Sequence, residues 1–266
     1  MIKKIIILFF VFVCNIPVQA REKIEYKDMQ DGVYVFKINT KKYGKKIKPV
    51  MAKRTVTPEK LYGKGCYELV VNGGFFDVKS GISVSNITID GIVVANITDN
   101  VELAKELKKE GRLKNVLSRS ELRILETKRG KLKFDIACHN DPIQKRYKIK
   151  HSLQAGPMVY PAMDLVKEGF VVYEDNMVKL QCADILKRRE RTVIGLKGKN
   201  LYIVIFSGEH KTDANEIRDY LVDNLKIKKA MALDGGLSTA VNYKDFSIGS
   251  MNQHQRRVKS FLVVEK

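Results

Sequence analysis

The sequence predicts a single α/β domain of the mixed α+β kind, in which a largely mixed β-sheet core is flanked by helices. Short runs rich in valine and isoleucine recur along the chain and predict strands. Two amphipathic segments with capping residues predict helices. No internal repeat, low-complexity tract or linker interrupts the 266 residues, so we expect one domain over residues 21–266.

The N-terminal segment is typical of an export signal. Lys3 and Lys4 precede an apolar run over residues 5–13, and a small residue, Ala20, suits a cleavage site. We therefore expect residues 1–20 to be a signal peptide cleaved near Ala20, which would export the mature chain to the periplasm or the extracellular space. An uncleaved anchor is the alternative. Aliphatic residues elsewhere are scattered among charges, so we expect no membrane span in the mature chain.

The strong positive charge favours anionic partners. The formal net charge is +19, but the cations are spread over the whole chain rather than gathered in one block. A solvated lysine-rich surface explains such spreading. No RNA-recognition, zinc-finger or helix-turn-helix pattern is present, so we expect no nucleic-acid partner. The sequence leaves the oligomeric state open.

Cysteine and histidine usage indicates neither a disulfide framework nor a zinc site. The mature chain contains Cys66, Cys138 and Cys182, so one disulfide with a free thiol competes with three buried thiols, the interpretation we favour. The histidines are widely spaced along the chain. Nothing in the sequence requires a cofactor.

The first half of the mature chain predicts mostly strands and one helix. The helix runs from Asp99 to Gly111, with Asp99 and Glu102 as its capping box. Residues 41–48 and 139–150 are expected to be basic loops. The predicted strands are residues 33–38, residues 68–71, a hairpin over residues 82–97 that turns at Asp90 and Gly91, and the paired runs 122–126 and 131–136.

The second half predicts a strand, a helix and a further strand in succession. Asp213 and Glu216 cap the helix, and the strand at residues 230–233 follows it. We expect a parallel βαβ unit here, with a ligand edge at the strand end. Residues 161–185 look irregular. The other strands predicted in this half are the run after Gly156-Pro157, residues 192–196, the central strand at residues 201–206 and the closing strand at residues 258–264.

Two strands end in similar polar loops that are far apart in the sequence. One loop reads Asn72-Gly73-Gly74 and continues to Asp77, and the other reads Asp234-Gly235-Gly236 with Ser238 and Thr239 behind it. Paired glycines allow close approach of another molecule, and free N–H groups beside carboxylates and hydroxyls can cradle a ligand. A tight turn between two elements is the alternative for each loop. The two loops could form one pocket if their strands are neighbours.

Five motifs in a fixed order resemble the phosphodiester glycosidase family from about residue 30 to the C-terminus. They are the two Gly-Gly loops, Gln154-Ala155-Gly156-Pro157, Arg191-Thr192-Val193-Ile194-Gly195, and the strand and helix around Asp213. Arg257-Val258 fits the family's closing arginine and strand. The chain departs from many members at Leu237-Ser238-Thr239, where they carry Gly-Ser-Ser, and this puts the identity of the substrate in doubt.

The resemblance implies an enzyme that acts on a sugar-1-phosphate diester. Its phosphate would be bound by Arg191 and Arg257 and by the N–H groups of Gly73, Gly74, Gly235 and Gly236. The oxocarbenium-like transition state needs carboxylates, for which Asp234 is the first candidate, and Asp77 and Glu209 are candidates for a second. The polar residues that would bind the sugar or phosphate are Asn72, Gln154, Gly156, Thr192, Thr212, Ser238 and Thr239.

Two functions from different classes fit these residues. The first is an exported glycosidase that hydrolyses or transfers a sugar from a sugar-1-phosphate diester in a glycan or envelope polymer. The second is a non-catalytic module that binds anionic envelope polysaccharide. For the enzyme, the expected partner is a phosphorylated carbohydrate substrate. Asp77 and Asp234 could share a divalent cation with phosphate oxygens, although no ligand spacing demands a metal.

Overall fold

The computed structural model describes residues 22–249 and 254–266, so the predicted signal peptide lies outside the described residues. Strands dominate. They are β1 (Ile24–Asp28), β2 (Val33–Asn39), β3 (Ile47–Val56), β4 (Tyr67–Asn72), β5 (Ile87–Ile89), β6 (Ile92–Ala95), β7 (Ser120–Thr127), β8 (Leu132–Cys138), β9 (Tyr147–Gln154), β10 (Met158–Tyr160), β11 (Val171–Glu174), β12 (Met177–Gln181), β13 (Arg191–Lys197), β14 (Asn200–Phe206), β15 (Lys229–Ala232), β16 (Ala240–Tyr243), β17 (Phe246–Gly249) and β18 (Val258–Glu265). The helices are α1 (Thr40–Tyr43), α2 (Pro58–Tyr62), α3 (Val101–Lys109), α4 (Leu113–Leu117) and α5 (Ala214–Asp223).

Three sheets surround one apolar core. The first sheet has the order β1-β2-β14-β13-β15-β10, the second β17-β16-β4-β18-β3, and the third β6-β5-β9-β7-β8. The inward side chains of all three sheets, such as Phe36, Leu262 and Leu153, belong to one buried cluster. The predicted sheet core is present, but the fold is more dominated by sheet, and has less helix, than the predicted α/β class would suggest.

The strand β14 lies inside the first sheet, as predicted, and both of its faces are apolar because both are covered. Leu201, Ile203 and Ile205 point into the shared core. Val204 and Phe206 alternate with them and pack in a second cluster beneath α5. Successive side chains of β14 therefore pack alternately into the shared core and into the layer beneath α5.

The parallel βαβ unit predicted for β14, α5 and β15 is wrong in its pairing. All strand pairings among the described residues are antiparallel, so the expectation of a largely mixed sheet is also wrong. β14 and β15 do point the same way, but β13 lies between them and pairs with each. β13 and β14 form a tight hairpin, so β13 already occupies the place next to β14 in the sheet. The connection through α5 passes over β13, and β15 then pairs with the far side of β13.

Several element boundaries differ from the sequence prediction. The cap of α3 is Asn100, whose Oδ1 accepts the Leu103 N–H at 3.2 Å, whereas Asp99 closes a preceding 3₁₀ turn. The loops predicted at residues 41–48 and 139–150 contain α1 and the start of β9. The irregular segment at 161–185 contains the hairpin β11–β12. Each of these elements is short or polar, which leaves little periodic signal in the sequence.

The three cysteines that the structure describes are free thiols. Cys66 is exposed, and Cys138 and Cys182 are partly buried, so the favoured prediction of three buried thiols is wrong. Among the described residues, no helix is long and apolar enough to cross a membrane.

Candidate active site

The two Gly-Gly loops meet where the first and second sheets adjoin. Asn72 is the last residue of β4, and Asp234 follows β15. The side-chain Nδ2 of Asn72 donates to the Asp234 carbonyl at 2.6 Å, and the Asp234 N–H donates to the Gly73 carbonyl at 3.0 Å. The structure therefore brings the two distant motifs together in one unit.

The Asn72 amide is the centre of this junction. Its Oδ1 accepts the Thr192 hydroxyl at 2.6 Å and the Ala240 N–H at 3.1 Å. Both Asn72 and Thr192 are fully buried. Three of the amide's hydrogen-bonding positions are thus used inside the protein, which makes Asn72 the link between β4, β13 and β16.

The glycines permit close packing around the junction. A Cβ at Gly73 would lie 2.6 Å from the Ser260 hydroxyl, and one at Gly74 would overlap the Gln154 carbonyl oxygen. Gly236 has φ of +55°, the left-handed region that glycine adopts without steric cost. Any larger residue at Gly73 or Gly74 would push the loop away from its neighbours.

The Asp234 carboxyl occupies an environment that favours its neutral form. Burial raises the pKa of Asp234 to about 6, and the Ser238 hydroxyl and the positive charge of Arg256 counteract part of that rise. The residue still keeps some contact with solvent. A carboxyl group with a pKa near neutrality can exchange protons under ordinary conditions.

Asp234 opens into a cavity of about 320 Å³. Apolar walls come from Phe75, Phe76 and Phe170, and the cations Arg112, Arg119 and Arg256 line it as well. Among the described residues that line this cavity, Asp234 is the single carboxylate. The size, the apolar walls and the few charged groups are typical of a small-molecule site.

The three arginines are held in different ways. Arg119 is buried, and its guanidinium carbon lies 4.0 Å from the Phe170 ring centre and 5.3 Å from that of Phe75. Burial lowers the pKa of Arg119 to about 10, so the group stays charged at neutral pH. The guanidinium carbon of Arg256 lies 5.6 Å from the Phe76 ring centre. Stacking on rings fixes the guanidinium planes without consuming all of their N–H donors.

A free thiol also lines the cavity. Arg112 Nη2 lies 2.9 Å from Cys182 Sγ, while Nη1 of the same arginine is paired with Glu110 at 2.7 Å. Glu168 lies behind this wall and accepts the Ser120 N–H at 2.7 Å and the Met158 N–H at 2.8 Å. Burial raises the pKa of Glu168. Its carboxylate oxygens accept hydrogen bonds from the protein itself, so we assign Glu168 a structural role.

The two arginines singled out by the sequence lie outside the lining of the cavity. Arg191 is buried and donates to the carbonyls of Ala183, Asp184, Lys187 and Thr212 at distances between 2.7 and 3.2 Å. It packs below Gly235, whose added Cβ would lie 3.2 Å from Arg191 Nη1. Arg191 therefore supports the Asp234 loop from beneath.

Arg257 is exposed and donates from Nε to the Thr55 carbonyl at 3.0 Å. Its neighbour Arg256 lines the cavity instead.

The additional candidate carboxylates are not in the cavity lining. Asp77 accepts the Ser80 hydroxyl at 2.6 Å and the Lys79 N–H at 3.1 Å, and these hydrogen bonds, that of Ser80 first, lower the pKa of Asp77. Glu209 is exposed in the loop after β14. Asp77 thus stabilises its own turn, and Glu209 faces solvent.

The remaining predicted polar residues surround the junction. Gln154 is buried, accepts the Asn86 N–H at 3.1 Å and donates to the Leu117 carbonyl at 3.0 Å. Gly156 has φ of +91° and donates to the Ala232 carbonyl at 3.1 Å. The hydroxyls of Thr212 and Thr239 are buried without a partner among the described residues.

The sequence gives no signal for Arg112, Arg119 and Phe170, because each stands in a short or irregular segment without a motif. Only their convergence on Asp234 in three dimensions marks them. Among the described residues, no group of three or more His, Cys, Asp or Glu side chains could hold a metal ion.

Comparison with known proteins gives a family and a fold. The sequence profile of the family described as phosphodiester glycosidase matches residues 65–265. No curated protein sequence matches the chain significantly.

Three solved structures share the fold. The catalytic domain of zebrafish N-acetylglucosamine-1-phosphodiester alpha-N-acetylglucosaminidase, auto-inhibited by its pro-peptide, has a TM-score of 0.62 and 15% identity, over 91% of this chain and 81% of that one. A hypothetical protein from Synechocystis has a TM-score of 0.59 and 12% identity over 91% of this chain, which spans 61% of its length. A protein of Burkholderia pseudomallei K96243, described as exported, has a TM-score of 0.58 and 13% identity over 87% of this chain and 73% of that one.

Proposed function

The chain belongs to the phosphodiester glycosidase family, and we propose that it is an exported hydrolase that removes a sugar from a sugar-1-phosphate diester. The observation that carries this proposal is the cavity that Asp234 lines together with Arg112, Arg119 and Arg256. Such a cavity matches a substrate with one phosphate charge beside a sugar ring. The signal-like residues 1–20 support export.

The phosphate of the substrate would lie against the arginines. Among the arginines that line the cavity, Arg256 is the one whose charge lowers the pKa of the Asp234 carboxyl, so it is the best candidate for the phosphate oxygens next to the reacting carbon. Arg119 and Arg112 extend the positive wall towards Phe170 and Cys182. Planar guanidinium groups suit phosphate because two N–H groups can donate in parallel.

Asp234 would act on water at the anomeric carbon. The C1–O bond to phosphate breaks, its electron pair leaves with the phosphomonoester, and water supplies the hydroxyl that C1 gains. The ionised Asp234 carboxylate takes the proton that water loses. A phosphomonoester leaves without prior protonation, so the ionised form of Asp234 is the useful one. With a pKa near 6, activity should rise as the pH rises through about 6.

Replacing Asp234 tests the proposal directly. In Asp234→Asn, turnover of a chromogenic sugar-1-phosphate diester should fall by about a thousandfold or more, because the amide cannot take the proton. The exposed Asp219→Asn is the matched control and should keep wild-type activity. Full activity of a folded Asp234→Asn protein contradicts the assignment. Binding of the diester without turnover by the wild type, at any pH, favours the binding module instead.

A further inference from the structure

A basic groove lies at the end of the third sheet. It has a volume of about 530 Å³ and is walled by exposed cations from two segments, Lys128 in the β7–β8 turn and Lys145, Arg146 and Lys148 at the start of β9. The carboxylates of Asp90 and Glu126 also line it. None of these residues belongs to the candidate active site.

The topology of the third sheet creates the groove. β9 lies between β5 and β7, so the first residues of β9 are flanked by the β5–β6 turn on one side and the β7–β8 turn on the other. Thr127 pairs with Tyr147 across β7 and β9, and the Gly91 N–H donates to the Lys150 carbonyl at 2.8 Å. These backbone contacts hold the cations on a regular frame.

Most of the positive charge in the groove is uncompensated. Lys150 pairs with Glu126 at 2.9 Å. In the part of the chain that the structure describes, Lys128, Lys145 and Lys148 have no carboxylate within salt-bridge distance. Like charges held close together repel, and an anion that binds among them relieves this repulsion.

The other lining groups decide which anion fits. The Thr127 hydroxyl and the carboxylates of Asp90 and Glu126 can hydrogen-bond neutral hydroxyl groups. Among the described residues, no aromatic ring lines the groove itself. The ring of Tyr147 beside it already contacts the protein's own cations, with the Arg146 guanidinium 5.0 Å and the Lys133 ammonium 5.6 Å from its centre. The groove therefore offers little of the open aromatic stacking surface on which single-stranded nucleic acids depend. We propose that this groove is an exosite that binds a phosphate-bearing polysaccharide through its negative charges and its sugar hydroxyls.

The exosite and the candidate active site are linked by a single strand. Tyr147 at the start of β9 lies beside the groove, and Gln154 at its end lies against Gly74 of the Gly-Gly junction. Seven residues of extended chain separate them by roughly 24 Å. We expect a polymer longer than this distance to contact both places, while a small diester can contact only one.

Binding is tested with phosphomannan labelled for fluorescence anisotropy. The triple variant Lys128→Glu, Lys145→Glu, Lys148→Glu should bind phosphomannan about tenfold or more weakly at 0.15 M salt, with a shallower salt dependence. The control Lys41→Glu, Lys45→Glu, Lys199→Glu makes the same change in charge at other exposed lysines and should bind nearly as the wild type does. Neutral mannan should bind neither to the wild type nor to the two triple variants.

The outcomes separate this proposal from the enzymatic one. Equal weakening in both triple variants overturns the exosite, because net charge alone would then explain binding. If single-stranded DNA of matched charge binds as tightly as phosphomannan, the groove does not select a glycan and this part of the proposal is wrong. Turnover of the small chromogenic diester should be unchanged in the exosite variant. If neither the wild type nor any variant turns over the small diester, the proposed function is wrong. A loss of phosphomannan binding that is specific to the groove variant would still support the exosite.

Discussion

Asp234 links the stability of the fold to its proposed chemistry. Burial raises its pKa to about 6, from an ordinary value of 3.8. The folded state therefore binds the proton more tightly than the unfolded state does, and folding is favoured while Asp234 is protonated. As the pH rises from about 4 through 6, that contribution is lost. An ionised Asp234 is thus costly to the fold and useful to the reaction.

The replacement Asp234→Asn should therefore stabilise the protein at alkaline pH. At pH 8, the free energy of unfolding should increase by about 3 kcal/mol, because the amide does not ionise. Near pH 4, the variant and the wild type should be equally stable. Urea unfolding at both pH values measures the difference. A gain of the same size at both would mean improved packing rather than a removed charge.

Asn72 is the residue on which the junction of the two loops most depends. Asn72→Ala would leave the Thr192 hydroxyl, the Ala240 N–H and the Asp234 carbonyl without their buried partner. We expect a loss of about 3 kcal/mol in the free energy of unfolding, measured by urea denaturation. Asn224→Ala, at an exposed position, is the control and should change stability little. A cost below about 1 kcal/mol would mean that water replaces the amide.

At the scale of elements, α5 begins with the capping residues that the sequence predicts. Asp213 Oδ1 accepts the N–H groups of Asn215 at 2.8 Å and Glu216 at 3.0 Å, and Glu216 accepts the Asp213 N–H at 3.0 Å. The capping box predicted from the sequence is confirmed. α5 covers the outer face of the first sheet, so its first turn supports the layer that carries β15 towards Asp234.

Asp213→Ala should lower the free energy of unfolding by about 1 kcal/mol, since two N–H groups lose their acceptor. The melting temperature by circular dichroism measures the effect. Asp223→Ala changes the same residue type in the last turn of α5, where a negative charge opposes the helix dipole, and should be neutral or slightly stabilising. Equal losses in the two variants would contradict a capping role for Asp213.

The whole molecule depends on β18, the strand nearest the C-terminus. It pairs with β3 on one side and β4 on the other, and Phe261, Leu262, Val263 and Val264 are fully buried. Its serine, Ser260, accepts from both Gly73 and Gly74. The second sheet and the candidate active site therefore both rest on this strand.

Removal of residues 258–266 should prevent folding, because β3 and β4 lose their shared partner and the core loses a row of apolar side chains. Soluble expression and size-exclusion chromatography measure this outcome. Removal of residues 1–23, which precede β1, costs only surface ion pairs such as Lys23–Glu68 among the described contacts and should leave a folded protein. A soluble, monodisperse protein without β18 would contradict the central place of this strand.

The sequence determined the elements whose evidence is local. The continuous apolar run of β14, the hairpin around Asp90 and Gly91, and the cap of α5 depend on neighbouring residues, so each could be predicted. The motif order also placed the chain in its family, which the profile match over residues 65–265 confirms.

The order of the strands in the sheets and the lining of the cavity depend on segments far apart in the sequence, so only the tertiary structure decided them. The position of β13 between β14 and β15 made the sheet antiparallel, and no local pattern encodes that choice. The same holds for the cavity, where Arg112, Arg119 and Phe170 line the same space as Asp234 but come from segments without a motif. Periodicity and capping are properties of short segments, whereas a site is defined by contacts between segments far apart in the chain, and only the packed core fixes those contacts.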